Sequence, residues 1–320
     1  MVNIRDIAKE ANVSVSTVSR VLNNHPYVSD AVRSRVQQIM DDFNYVSNSN
    51  AVKLSKGKTQ CIGLVVPEVD YYGYDTVSKG IIDAANKDGY NVMLLCSNYD
   101  IERELLYLEM LRKKELDGLI FISKACEDHY LTEYSKYGPI TICREKVIPG
   151  ITNVYPRRID SYYVIYQHLL DYGCTDIFTT TNKSVELSRS TQAKWRAYEE
   201  TLNKPATTHF FHGVLSEKNT EEVMNQIINQ VQEDDTVGVF VDSDEVGASL
   251  IVEAKKKGLI HHKNFFIISE GSTYMSTLMN FMSIDYNLLT VGRKLYESLF
   301  SEKMQSVVVD YEMMELKNII

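Results

Sequence analysis

Apolar residues at Ile4, Ile7, Ala8 and Ala11 recur at three- and four-residue spacing, which places them on one face of a short helix. Asn12-Val13-Ser14 breaks that pattern, and Ser14 is the residue type that caps a new helix. The second helix runs from Val15 to Asn23, with Val18, Val21 and Leu22 inward and Ser16, Thr17, Ser19 and Arg20 outward. Ser29 caps a third helix over roughly Asp30 to Phe43, where Val32, Val36, Ile39 and Met40 close a small core. Two short helices joined by so tight a turn suit a helix-turn-helix; a small helical bundle with no nucleic-acid role is the bland alternative.

From Cys61 the period changes. Cys61 to Pro67 is an unbroken apolar run, expected as a buried strand. A helix over Val77 to Lys87, a strand over Asn91 to Cys96, a helix over Arg103 to Lys113 and strands at Gly118 to Ser123 and Pro139 to Cys143 follow. The alternation restarts after Arg158. Helices are expected at Tyr162 to Tyr172, Gln192 to Leu202 and Glu245 to Lys257, and strands at Asp176 to Thr181, Thr236 to Val241 and Phe265 to Ser269. Apolar strands alternating with amphipathic helices argue for parallel, doubly wound sheets. Two such series imply two lobes with a cleft between them, and ligands of open α/β sheets sit at the carboxyl ends of the strands.

Composition narrows the class. A chain of 320 residues, 44% hydrophobic, has room for several domains and a sizeable core. No run of about 18 apolar residues suggests a membrane span. The N-terminus starts directly on a helical pattern without a signal-peptide pattern, so a cytoplasmic protein is expected. Cys61, Cys96, Cys126, Cys143 and Cys174 lie far apart, mostly in apolar runs, and read as reduced core residues. The net charge of −9 looks wrong for a DNA-binding protein until it is divided. Residues 1–60 hold eight Lys/Arg and five acids, a balance of +3; the remainder holds 26 and 38, a balance of −12. Phosphate affinity depends on local cations, so a basic head on an acidic body is compatible with DNA binding by the head.

The runs IRDIAKEANVSVSTVSRVLN, YVSDAVRSRV, FNYVSN and AVKLSKGKT closely resemble the headpiece of the LacI/GalR family of transcription repressors. IGLVVPEV, ELDGLIFIS and HLLDYGCTDI resemble the sugar-binding body of the same family, whose fold is shared with periplasmic binding proteins. The resemblance spans nearly the whole chain and weakens after about residue 182. It implies an α/β chain with an N-terminal all-α helix-turn-helix headpiece and a two-lobed, doubly wound, periplasmic-binding-protein-like body. The expected boundaries are 1–46 for the headpiece, 47–60 for a hinge and 61–320 for the effector-binding and dimerisation body. Its first lobe covers about 61–157 plus a segment crossing back near 285–300. Its second covers about 158–284 plus the C-terminal strands.

In the headpiece, Val15 and Ser16 are expected to face bases at the start of the recognition helix, with Arg20 further along. Thr17, Ser19, Asn23 and Lys53 are expected to meet phosphates or support the helix. Residues 48–54 make about two helical turns, too few for a stable helix alone. The resemblance implies that this hinge folds only on operator DNA, where Leu54 stands at the place of a leucine wedged into the minor groove; alternatively Leu54 packs on the body. Family members usually carry a proline before the hinge helix, and this chain has Ser47 there, which implies a looser hinge.

Around the cleft the chain departs from its relatives. The usual Asn-Pro-Phe-Phe-like run is Tyr71-Tyr72-Gly73-Tyr74, whose tyrosines offer a flat face and a hydroxyl to a sugar ring, or simply cover a loop. Lys194 holds the place of a ligand-binding arginine. The Gly-Phe-Asp-Asp run has become Ser269-Glu270-Gly271-Ser272, so its ligand carboxylate is missing or displaced to Glu270, and the Asp-Asn pair opening the second lobe is Arg157-Arg158. Ser243-Asp244 matches the family's Asn-Asp pair. With Arg144 at a strand end, basic residues have gained on acids, which points to an anionic effector touching Arg144 and Lys194. Alternatively, Arg157 and Arg158 pair with Asp160 or other acids.

No GxSxG, P-loop or GxGxxG pattern is present, so no catalysis and no cofactor are expected. His209, His212, His261 and His262 lack the companions of a metal site. The expectation is a homodimeric repressor bound to near-palindromic double-stranded operator DNA and released or engaged by a sugar or sugar phosphate, regulating a carbohydrate-utilisation operon. Control by a phosphorylated carrier-protein corepressor is the first rival; a binding protein or enzyme with a decorative head is the second. No heptad tail follows Glu315, so a coiled-coil tetramer is not expected.

Overall fold

A computed structural model describes residues 2–45, 57–69, 73–214, 219–301 and 305–314. The chain divides into two compact units, Met1–Gln60 and Cys61–Ile320.

The first unit holds α1 (Ile4–Glu10), α2 (Val15–Leu22) and α3 (Asp30–Asp42). Asn3 and Asp6 form a reciprocal capping box on α1, and Ser14 Oγ accepts from the Thr17 amide at 3.1 Å to cap α2. Asn12, with φ +51°, makes the left-handed turn between them. Ile7, Ala8, Ala11, Val18, Val21, Val36 and Met40 meet in one buried cluster. Most of these are the positions the helical period selects. Residues 46–56, the hinge with Ser47, Lys53 and Leu54, lie outside the described residues.

The described residues of the second unit form two six-stranded sheets. The first lobe is built from β1 (Cys61–Val66), α4 (Tyr74–Lys87), β2 (Asn91–Cys96), α5 (Ile101–Arg112), β3 (Gly118–Phe121), α6 (Asp128–Tyr134), β4 (Ile140–Ile142) and β5 (Thr152–Pro156). The second continues through α7 (Ile159–Asp171), β6 (Asp176–Thr181), α8 (Arg189–Leu202), β7 (Phe210–His212), α9 (Thr220–Ile228), β8 (Val237–Val241), α10 (Asp244–Lys256), β9 (Phe265–Glu270), α11 (Tyr274–Met279) and β10 (Met282–Asp285). The chain then returns through α12 (Leu288–Leu299), β11 (Ser306–Val309) and β12 (Glu312–Met314).

Strand order is β11-β5-β4-β3-β1-β2 in one sheet and β12-β10-β9-β8-β6-β7 in the other. All pairings are parallel except β10 with β12. The expectation that the C-terminal strands join the second lobe is corrected: β11 pairs with β5 of the first sheet and only β12 joins the second. The chain therefore crosses between the lobes three times. β8 is buried at every position and β1 at all but its first, as parallel strands covered on both faces must be. Returning α12 lies against α4 so closely that a Cβ on Gly292 would sit 2.0 Å from the Val77 carbonyl oxygen. Only glycine permits that approach.

Candidate functional site

Recognition helix α2 presents one polar face. Val15 is 41% exposed, and Ser16, Arg20 and Asn23 are exposed. Arg20 has no side-chain partner among the described residues, so its guanidinium is available. Thr17 and Ser19 are half-buried. Thr17 Oγ1 lies 2.8 Å from Ser14 Oγ, and Asn23 Nδ2 donates to the Ser19 carbonyl at 2.8 Å, so both also support the helix itself.

In the body, a cavity of about 1170 Å³ opens between the lobes at the carboxyl ends of the strands. Its second-lobe wall is a buried charge network. Lys194 of α8 donates to both Asp242, just after β8, and Glu270, the last residue of β9. Its side chain is 2% exposed, and its ammonium lies 4.5 Å from the Phe240 ring centroid. Tyr286 donates to Glu270 at 2.6 Å, and the Asn182 amide donates to Asp242 at 2.8 Å. The Arg158 guanidinium covers the Tyr286 ring at 4.6 Å.

Burial opposes charge on Lys194, but Asp242 and then Glu270 outweigh it and hold its pKa above the usual lysine value. Burial likewise opposes ionisation of Glu270, yet Lys194 and Arg158 hold its carboxyl below the usual range. Two cations thus face two carboxylates in this network, and Arg189 and Glu245 add one charge of each sign to the same wall, which stays neutral within itself.

The first-lobe wall is different. The Asp128 carboxylate at the start of α6 receives three cations: Lys124 at 2.8 Å, Arg144 at 2.7 Å and Lys146 at 3.1 Å. Burial would raise its pKa, but Lys124, Lys146 and Arg144 press it well below the carboxylate range. Tyr74 also lines the cavity, with its hydroxyl 3.3 Å from that of Tyr99. Cys143 sits on the same wall, where burial pushes its thiol up to about 11.

The cavity brings together Tyr74, Arg144, Lys194, Ser243 and Glu270 of the expected effector contacts. Tyr71 and Tyr72 lie outside the described residues. Asp244 is not a cavity residue, which corrects the expectation for it. Fully buried, it accepts from Ser269 Oγ, from Ser283 Oγ at 2.8 Å, and from the Thr273 amide and hydroxyl at 2.6 and 2.7 Å. It ties α10 to β9, β10 and the start of α11. Ser243 caps α10, accepting from the Val246 amide at 3.3 Å. Arg157 turns away to Asp310 and Asp160, whereas Arg158 lines the cavity.

The expected anion contact at Lys194 is also corrected, because Asp242 and Glu270 already occupy its charge. Sequence reasoning missed Asp242, Tyr162, Tyr286 and Lys146, all of which line the cavity. Among the described residues no group of three or more His, Cys, Asp or Glu is placed to hold a metal ion. Nor is any described helix long and apolar enough to cross a membrane.

Comparison with known proteins agrees with this architecture. Residues 3–48 match the family model of bacterial regulatory proteins of the lacI family. Residues 59–291 match that of periplasmic binding proteins and the sugar binding domain of the LacI family. The chain is 33% identical over 312 residues to catabolite control protein B of Bacillus subtilis, covering 98% of each protein. It superposes with TM-score 0.80 on a crystal structure of the lac repressor dimer bound to operator and the anti-inducer ONPF, at 19% identity, covering 99% of this chain and 98% of that one. The structure of the transcriptional regulator CelR with cellobiose superposes at TM-score 0.66, with 19% identity and 99% of both chains covered. At such identities the two superpositions speak for the fold alone. The two family models and the full-length relative establish that the chain belongs to the LacI family of bacterial regulatory proteins, a family of transcriptional regulators and not of enzymes.

Proposed function

We propose that the protein is a cytoplasmic, homodimeric repressor that reads a near-palindromic operator and is switched by a small polyhydroxylated ligand in the interlobe cavity. The observation that carries the control by a small molecule is that cavity. It lies at the carboxyl ends of both sheets and is lined by aromatic faces, Tyr74, Tyr162 and Tyr286, beside fixed carboxylates, Asp242 and Glu270. Flat rings with convergent acceptors suit a sugar ring and its hydroxyls. The family's sugar-binding body supports the same class of ligand.

On the DNA, two copies of α2 enter successive major grooves about one helical turn apart. Val15 and Ser16 meet base edges, Arg20 reads further along, and Thr17, Ser19, Asn23 and Lys53 hold phosphates or the helix. Leu54 of the hinge enters the minor groove. Ligand must favour one lobe arrangement over the other by about 1–3 kcal/mol to be felt at the operator.

Binding of the full-length protein to DNA fragments flanking its own gene, with and without a sugar panel, tests this reading. Tight, salt-sensitive binding to one palindrome that a sugar or sugar phosphate shifts is the expected result. Binding that responds only to a phosphorylated carrier protein would transfer control to the rival mechanism. No sequence preference at any salt would end the repressor reading.

A further inference from the structure

Taken together, Lys124, Arg144 and Lys146 bring three positive charges to the single carboxylate of Asp128. This is not a loose surface cluster. The Lys124 side chain is 5% exposed, and its ammonium is committed to Asp128 and the Cys126 carbonyl. Arg144 is 26% exposed and Lys146 60%, and both line the cavity. Lys124 therefore anchors Asp128 from beneath, and Asp128 orients the two cations nearer the cavity.

Those two retain most of their capacity. A guanidinium has five donors and an ammonium three. Arg144 uses one on Asp128 at 2.7 Å, Lys146 one at 3.1 Å, and neither side chain has another partner among the described residues. Glu145 on the same rim is exposed and makes no ion pair among the described residues, so solvent screens its carboxylate. Elsewhere in the cavity the cations are matched in number: Arg158, Arg189 and Lys194 stand with Asp242, Glu245 and Glu270. Unused donors and partial desolvation meet on this stretch of the first-lobe wall.

We infer that Arg144 and Lys146 form a subsite for an anionic group, a phosphoryl or a carboxylate, carried by the ligand of the interlobe cavity. The inference rests on the reading of that cavity as the effector site. A planar guanidinium fork beside a point-like ammonium gives an oxyanion two donor types from one side. The remainder of such a ligand then lies toward Tyr74 and the neutral second-lobe wall. The anion is the element that discriminates among sugars of similar shape.

The test uses the full-length protein and four probes: inorganic phosphate, glucose, glucose 6-phosphate and glucuronate, with chloride at matched ionic strength as control. Phosphate should raise the melting temperature beyond chloride, and R144Q and K146Q should each remove that increment. An anionic sugar that binds the wild type should bind either variant about 10- to 100-fold more weakly, the worth of a charge-assisted hydrogen bond. Whether glucose 6-phosphate or glucuronate loses more then separates phosphoryl from carboxylate.

K146Q guards against misfolding, because that side chain is mostly exposed and Asp128 keeps its other two cations. Phosphate that stabilises wild type and both variants equally would be an adventitious ion only and would overturn the inference. So would a neutral sugar bound as tightly as its charged counterparts. If neutral sugars still move the protein on its operator, the repressor reading survives this failure. If no small molecule does, the reading of the cavity as an effector site falls with the subsite, while sequence-specific DNA binding stands on its own test.

Discussion

The two walls of the cavity meet the same problem, charge held away from bulk water, in opposite ways. The second-lobe wall solves it internally: Lys194 lies between Asp242 and Glu270, Tyr286 donates to Glu270, and a backbone amide donates to Asp242. The first-lobe wall gathers three cations around Asp128 and leaves donors unspent. A self-satisfied network supports the fold and shapes the floor. An unbalanced one has charge to offer a ligand. Residue types alone would rank Lys194 and Arg144 together as cavity cations, but their partners give them different work.

The strongest way to break this comparison is to open the second-lobe network. Lys194→Met removes the ammonium that bonds both Asp242 and Glu270. Removing one partner of a buried pair costs about 3–5 kcal/mol, which urea unfolding would read. Adding Glu270→Gln should recover part of the loss. The pH profile carries the same signature. The Glu270 carboxyl lies below its ordinary value when folded, so its contribution is present at neutral pH and lost as pH falls through the folded value. The Lys194 ammonium is raised, so its contribution holds below the ordinary lysine value and fades as pH climbs through the folded one. Stability should plateau between these limits and flatten in the Lys194→Met variant at both ends. An unchanged profile would mean that the network carries no stability.

A smaller effect separates two aspartates that lie two residues apart. Asp244→Ala strips acceptors from Ser269, Ser283 and Thr273 and should cost about 2–3 kcal/mol, with ligand affinity unchanged. Asp242→Asn, which alters a cavity residue and also takes a carboxylate from Lys194, should change ligand affinity as well as stability. If Asp244→Ala weakened ligand binding in folded protein, the division between structural and cavity carboxylates would be wrong.

That pair also marks where sequence reading stops. The headpiece was legible because its core repeats at helical spacing within 40 residues and Ser14 caps α2 beside it; Ser29 holds the cap position of α3 but makes no side-chain cap bond. The alternating strands and helices were legible for the same reason, as far as the strand over Phe265 to Ser269. Short β7, with three residues, and strands β11 and β12 gave too little period to read. Asp242 and Asp244 flank the same cap, and only the folded backbone decides which faces the cavity.

Lys194 was placed at the right site with the wrong role. Its partners lie 48 and 76 residues away, beyond any local pattern. Lys124 and Asp128 are one helical turn apart in sequence, but the significance of that pair appears only when Arg144 and Lys146 arrive from the end of β4.

The least stability change is expected on the first-lobe wall. Arg144→Gln removes one of three cations from a carboxylate that is 27% exposed. Lys124 and Lys146 remain, so Asp128 is still paired, and like-charge repulsion among the cations falls. Partly exposed ion pairs are worth about 0–1 kcal/mol, so the unfolding midpoint should hardly move. The same is expected of Lys146→Gln, whose side chain is 60% exposed. A loss approaching that of Lys194→Met would make this cluster a structural network like the other, with no charge to spare. A near-zero change in stability, joined to a large loss of anion affinity, would show that the cations are kept for the ligand and not for the fold.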